Sequence, residues 1–307
     1  MNPIALSKEY GFAEAFLLPN APYEDWTRHR NGGAFHRNAD FVRDDPADAY
    51  PWANACLLCV WAYKPFEDSS VVPAYYLASN RSYHAMRALI QRLNEEGIRA
   101  ERAETPYRTQ LLMANIGCRM DNQLWYYPPY GTYTALWGAM VRLPEPVAYT
   151  EPHANDPACD HCGRCARACF GALDHGTFDW KDCIRAYLEN EPLPERFLPE
   201  LESFSGCERC QRACPKNPKE REPVSEALRE ALDPVRIVRG DISEALALLG
   251  KNRKKQLLRQ AIVLCANRGR TEALPALIAM REAGESPYNI ELDYAISLLQ
   301  KQKNMVK

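Results

Sequence analysis

Apolar residues recur along the first half of the chain with two different periods. ANACLLCVWAYK (53–64) is a nearly unbroken apolar run, as expected of a buried strand. SNRSYHAMRALIQRLNEEG (79–97) repeats at helical spacing: Tyr83, Met86, Ile90 and Leu93 share one face, and Gly97 supplies the stop. IRAERAE (98–104) predicts a strand and YRTQLLMANIG (107–117) a short helix ending near Gly117. QLWYY and TYTALWGAMVRL predict strands around a YPPYG turn. The prolines and polar residues of PEPVAYTEPHANDPA (144–158) predict a linker, and KDCIRAYLEN (181–190) a short helix presenting Cys183. Beyond Pro223 the spacing is helical to the end, with short turns between helices.

The expected class is α+β. An α/β domain spans 1–148, a cysteine-rich domain 149–222, and a helical tail 223–307 that resembles a HEAT-type pair and a half of helices. Composition adds little to this: 307 residues, 46% hydrophobic and 25% charged, suit two or three globular domains. A net charge of −2 makes no global demand for a nucleic-acid or membrane partner. MNPIALSKEYGF lacks the basic and apolar regions of a signal peptide, and ACLLCVWAY (55–63) is too short to span a bilayer. The expected compartment is the cytoplasm, with no membrane partner.

The cysteines change the picture. There are twelve, and a reducing cytosol argues against disulfides. Eight fall in one window: Cys159, Cys162, Cys165, Cys169, Cys183, Cys207, Cys210 and Cys214. The order is C-x2-C-x2-C-x3-C, a lone Cys, then C-x2-C-x3-C. The first run is the bacterial ferredoxin pattern, in which three close thiolates hold one [4Fe–4S] cube and the fourth ligates the other cube. Eight ligands then make two clusters, the first on Cys159, Cys162, Cys165 and Cys214, the second on Cys169, Cys183, Cys207 and Cys210. This makes 149–222 a bacterial-ferredoxin-like two-cluster domain. Pro215 follows the last cysteine, whereas Phe170 stands where the first run would carry its proline; the change reshapes a turn and removes no ligand. Zinc in a four-cysteine site is the competing reading, but three such closely spaced ligands strain a tetrahedral single-metal site. Cys56 and Cys59, on opposite faces of a strand, read as core, as do the isolated Cys118 and Cys265. His161 and His175 read as polar neighbours of the clusters.

Taken in order, these segments resemble the epoxyqueuosine reductase family, relatives of the reductive dehalogenases. PWANACLLCVWAYKP looks like the family's early strand. YYLASNRSYHAMRALIQRL resembles its segment running from a tyrosine to D-Y-H, and GCRMDNQLWYYPPYGTYTAL its G-W-I-G-K-N…P-x-Y-G-S segment. The C-I of DCIRAYLEN, the GCERCQRACP run and the short helical tail follow in the family's order. The resemblance implies a cobalamin or other corrinoid in a cavity between the N-terminal domain and the clusters. It implies electrons passing through both clusters to cobalt, reduction of an epoxide on tRNA, and a low-potential donor of ferredoxin or flavodoxin type.

The departures fall at the positions the resemblance assigns to chemistry. The family's aspartate in D-Y-H is Ser82, and an unperturbed hydroxyl is a poor proton donor. Tyr83 and His84 beside it are the other candidate acids, with core packing and a surface role as their alternatives. G-W-I-G-K-N has become Gly117 to Asn122, with Arg119 and Asp121 as new charges. The tail carries 14 Lys and Arg against 10 Asp and Glu, and KNRKK (251–255) makes it a candidate tRNA contact, with a solvated helix face as the alternative. Two functions follow. One is a corrinoid-linked iron–sulfur reductase; the other is a two-cluster electron-transfer protein serving a separate partner.

Overall fold

The computed structural model describes residues 2–22, 45–147, 159–174, 176–188, 192–284 and 286–305. His175 and most of the expected linker, 148–158, lie outside them. The chain divides into two compact units. The first comprises Met1–Lys64, Ala78–Trp180 and Arg209–Lys219; the second comprises Pro65–Leu77, Lys181–Glu208 and Glu220–Lys307.

The first unit is built on a four-stranded antiparallel sheet in the order β1-β2-β6-β3, formed by Glu14–Pro19, Ala55–Ala62, Thr134–Val141 and Ala100–Arg102 respectively. Strand β2 is central and covered on both faces, which explains its continuous apolar run. Ala55, Leu57 and Cys59 point to the side where Met86, Leu89 and Leu93 of α3 (Ala74–Glu95) pack, with Leu6 of α1 (Pro3–Glu9). Cys56, Leu58 and Val60 point to the other side, against Leu111 of α4 (Tyr107–Met113), Ile116 and Trp125. Cys56 and Cys59 are therefore core thiols on opposite faces. Burial pushes the Cys56 thiol up to about 12, and raises Cys59 as well. A further helix, α2 (Pro46–Ala49), is capped by Asp45.

Several elements depart from the sequence expectation. Strand β1 was not marked by the pattern. Helix α3 starts five residues before the expected Ser79, and Asn94 joins its end to β3 through bonds to Ile90 O and to both backbone groups of Ala100. The two strands around YPPYG do not pair with each other: β5 (Trp125–Tyr126) pairs with β4 (Cys118–Arg119), while β6 joins the main sheet. Cys118, expected in the core, is half-buried. Gly117 is required here, because its φ is +70° and an added Cβ would lie 2.4 Å from Trp125 Nε1. The cysteine segment adds α5 (Arg164–Ala168), the short pair β7 (Leu173–Asp174) and β8 (Thr177–Phe178), and α6 (Arg209–Arg212).

The second unit is mainly helical. Its tail runs α7 (Glu226–Ala231), α8 (Pro234–Val238), α9 (Ser243–Leu249), α10 (Lys254–Asn267), α11 (Leu274–Glu282) and α12 (Asn289–Met305). Ser225 and Asp233 cap α7 and α8, and Pro234 takes a first-turn position where no N–H is needed. Helix α10 packs on α8 and α12, with Ala261–Ala266 buried. The Arg259 guanidinium meets the buried Glu291 carboxylate at 2.7 Å. Of KNRKK, Lys251–Arg253 form a 3-10 turn and α10 starts at Lys254. Among the described residues no helix is long and apolar enough to cross a membrane.

Candidate metal centre

Three cysteines arrive on one tight turn. His161 and Gly163, on either side of Cys162, both have left-handed backbone, with φ +50° and +69°. That alternation curls the chain and leads into α5, which carries Cys165. Cys214 follows α6, and α5 packs against α6 within the first unit. As a result Cys159, Cys162, Cys165 and Cys214 line one open hollow, together with Met120, Asp121 and Asn122. Burial raises the Cys165 and Cys214 thiols, and the neighbouring Cys159 and Cys162 raise Cys214 further. Crowded thiolates of this kind need a cationic centre among them. An all-sulfur donor set is the chemistry that iron–sulfur clusters and zinc select, so the residues present fit a cluster.

The rim carries a hydrogen-bonded pair, His161 Nδ1 at 2.8 Å from Asp121 Oδ1, and an ion pair, Lys216 Nζ at 2.9 Å from Asp160 Oδ1. Asp121, Cys159 and His161 also bring ligand atoms within 4.8 Å of one another, a mixed set suited to a single divalent ion. Cys159 belongs to both sets.

A buried amide network holds the Cys214 side. Gln211 Nε2 donates to Thr132 O at 2.8 Å, and Asn217 Nδ2 donates to Thr132 Oγ1 and Gln211 O, each at 2.8 Å. Asn217 Oδ1 accepts from Thr132 N, and Tyr63 Oη adds a bond to Gln211. Gly131 lets the two segments approach, since a Cβ there would lie 2.4 Å from Asn217 Oδ1. The YPPYG turn thus supports the cysteine helix rather than joining two paired strands. Phe170, where a proline was expected, sits under the Arg209 guanidinium at 4.1 Å.

The second set of cysteines is divided. Cys169, which ends α5, and Cys210 belong to the first unit; Cys183 and Cys207 belong to the second. KDCIRAYLEN is not one α-helix: two 3-10 turns, Trp180–Asp182 and Ile184–Tyr187, flank Cys183. Gly206 before Cys207 has no room for a side chain, since a Cβ would lie 2.4 Å from Tyr75 Oη. Gln260 of α10 braces both segments. It donates to Leu188 O and accepts from Ser205 N, each at 2.8 Å.

None of Ser82, Tyr83 and His84 lines the cysteine hollow. Ser82 is fully buried; its hydroxyl donates to Ala78 O and accepts from Trp137 Nε1, both at 2.7 Å. Tyr83 is half-buried, with its ring 5.3 Å from Trp137 and 5.4 Å from the exposed His84. The 117–122 loop, by contrast, reaches the hollow through Met120, Asp121 and Asn122. The sequence marked that loop only by its departures, and it marked Gln211 and Asn217 only as members of a cysteine motif and its flank.

No protein-family model matches the chain. Epoxyqueuosine reductase of Bacillus anthracis is 28% identical over 191 residues, covering 57% of this chain and 48% of that protein. The Bacillus cereus enzyme of the same name matches with the same figures. The chain spans about half the length of these curated relatives. The structure of epoxyqueuosine reductase from Streptococcus thermophilus superposes with a TM-score of 0.73 at 18% identity, covering 99% of this chain and 91% of that one. An epoxyqueuosine reductase crystallised with an epoxyqueuosine-modified tRNA-Tyr stem loop gives 0.70 at 18% identity, with 97% and 98% covered. At such identities the superpositions establish a shared fold.

Proposed function

Because the chain resembles the epoxyqueuosine reductases in sequence and has their fold, we propose that it is a divergent iron–sulfur oxidoreductase of that kind. The observation that carries this is the gathering of Cys214 with Cys159, Cys162 and Cys165 around one hollow, across 48 intervening positions. Those four residues are proposed to hold one [4Fe–4S] cluster; Cys169, Cys183, Cys207 and Cys210 are proposed to hold a second, on the strength of the ligand order. The clusters, when bound, supply single low-potential electrons. The chain's own residues fix the thiolates: Gly163 and His161 set the turn, and Gln211 and Asn217 anchor the Cys214 segment. The finer layout, with a corrinoid-type domain, a ferredoxin-like domain and a HEAT-like tail, is proposed on the same resemblance. So are a ferredoxin- or flavodoxin-type donor, a corrinoid acceptor and a tRNA substrate. The stem-loop complex of a protein with this fold supports the tRNA reading.

Ser82 favours a second reading. With its hydroxyl engaged by Ala78 and Trp137 and its surface fully buried, the position offers no proton to a substrate. A chain without that donor suits delivery of electrons to a separate partner. Anaerobic reconstitution followed by cobalamin titration separates the two. About eight irons per chain with a changed cobalt spectrum supports the reductase. Eight irons with no change in the cobalt spectrum supports the electron carrier. One zinc and no iron overturns both.

A further inference from the structure

Asn122 is 2% exposed and lines the four-cysteine hollow. Its amide cannot turn freely. The backbone N–H of Leu124 is a donor and needs an acceptor, so Oδ1 faces it at 3.1 Å. That fixes Nδ2 on the opposite side, where it has no hydrogen-bond partner among the described residues. A buried amide N–H2 left unpaired costs roughly 1–3 kcal/mol. Native chains rarely keep such a group unless a ligand satisfies it. The hollow that Asn122 lines is walled by the thiols of Cys159, Cys162, Cys165 and Cys214. Nearby polar groups are already paired: Asp121 with His161, and Lys216 with Asp160.

We infer that Asn122 Nδ2 donates a hydrogen bond to a sulfur of the cluster held by Cys159, Cys162, Cys165 and Cys214, and thereby sets its reduction potential. The inference rests on the cluster reading above. The acceptor is an inorganic sulfide or a cysteine thiolate, since both are anionic sulfur at this site. Reduction adds negative charge to the sulfurs, so a donor stabilises the reduced form more than the oxidised one and raises the potential. Asn122 acts through the cluster and is a positioning residue.

The test is an EPR-monitored redox titration of the reconstituted full chain alongside Asn122→Asp and Asn122→Ala. Asn122→Asp keeps the acceptor for Leu124 N–H but replaces the donor with a negative charge, which lowers the potential by itself; Asn122→Ala removes the donor without adding charge, so its midpoint decides. The expected result is unchanged iron content, one midpoint shifted to lower potential and the other unmoved. The shift should correspond to roughly tenfold in the reduction equilibrium, about 59 mV for one electron. Full iron with both midpoints unmoved overturns the inference while leaving the cluster reading intact. Absence of iron from the unsubstituted chain overturns the cluster reading itself. Should the variants lose iron, the unsubstituted chain decides. With 15N in the asparagine side chains, a nitrogen coupling in the pulsed EPR spectrum of the reduced cluster supports the bond, and its absence overturns it.

Discussion

Ser82 shows how a single position can look catalytic in a string and structural in space. Its hydroxyl accepts from the indole N–H of Trp137 at 2.7 Å, and Ser82 itself is fully buried. Ser82→Ala is expected to destabilise the first unit by about 1–3 kcal/mol, read by chemical denaturation, because it strands a buried donor. The core thiols make a second residue-scale expectation. Burial pushes Cys56 and Cys265 from 9.0 up to about 12. Between those values the folded state keeps protons that the unfolded state has lost. Stability is therefore whole below pH 9 and falls as pH rises toward 12, by up to about 1.4 kcal/mol per pH unit for each thiol. Unfolding measured from pH 8 to 11 should show this decline, and Cys56→Ala or Cys265→Ala should flatten it. These core roles were legible beforehand. An apolar run with cysteines three apart places them on opposite faces, and the structure places Cys59 in one core and Cys56 in the other.

At the scale of elements, short segments around the cysteines matter more than the long ones. Helices α5 and α6 have five and four residues, too few for helical stability of their own. Their positions are set by side chains from elsewhere, above all Asn217 and Gln211 on Thr132. Asn217→Ala removes three of those bonds. It is expected to cost about 1–3 kcal/mol and to speed iron loss to a chelator, measured by the bleaching of the cluster absorbance. The failure to foresee the YPPYG turn in this role has a physical cause. Two apolar runs flanking a Pro-Gly turn suggest a hairpin, but β6 finds better burial between β2 and β3. Likewise the Cys183 segment is too short and too bent at that cysteine to hold α-helical bonds, and it forms two 3-10 turns.

For the whole molecule, the charge distribution carries the expectation. The tail is net positive while the chain is net −2, and Lys254 and Lys255 at the start of α10 are exposed. If the tail contacts tRNA, Lys254→Ala with Lys255→Ala should weaken binding at every salt concentration. It should also reduce the slope of log K against log salt by about two, since each lysine contributes about one. A solvated face instead leaves binding and slope unchanged.

The sequence by itself determined the proposed ligand inventory, because thiolate spacing along a chain is a local property that a cluster reads directly. It also determined the central strand, the long helix with its Gly97 stop and the helical tail, where apolar period matches element period. Tertiary structure alone decided which of the marked residues stand near the thiolates. It buried Ser82 against Trp137, brought the 117–122 loop to the hollow, and left the Asn122 amide nitrogen without a partner among the described residues. Those outcomes depend on partners 55, 37 and more positions away, as Ser82 lies from Trp137 and Asn122 from Cys159. No periodicity records such pairings; burial and hydrogen-bond satisfaction in the folded chain select them.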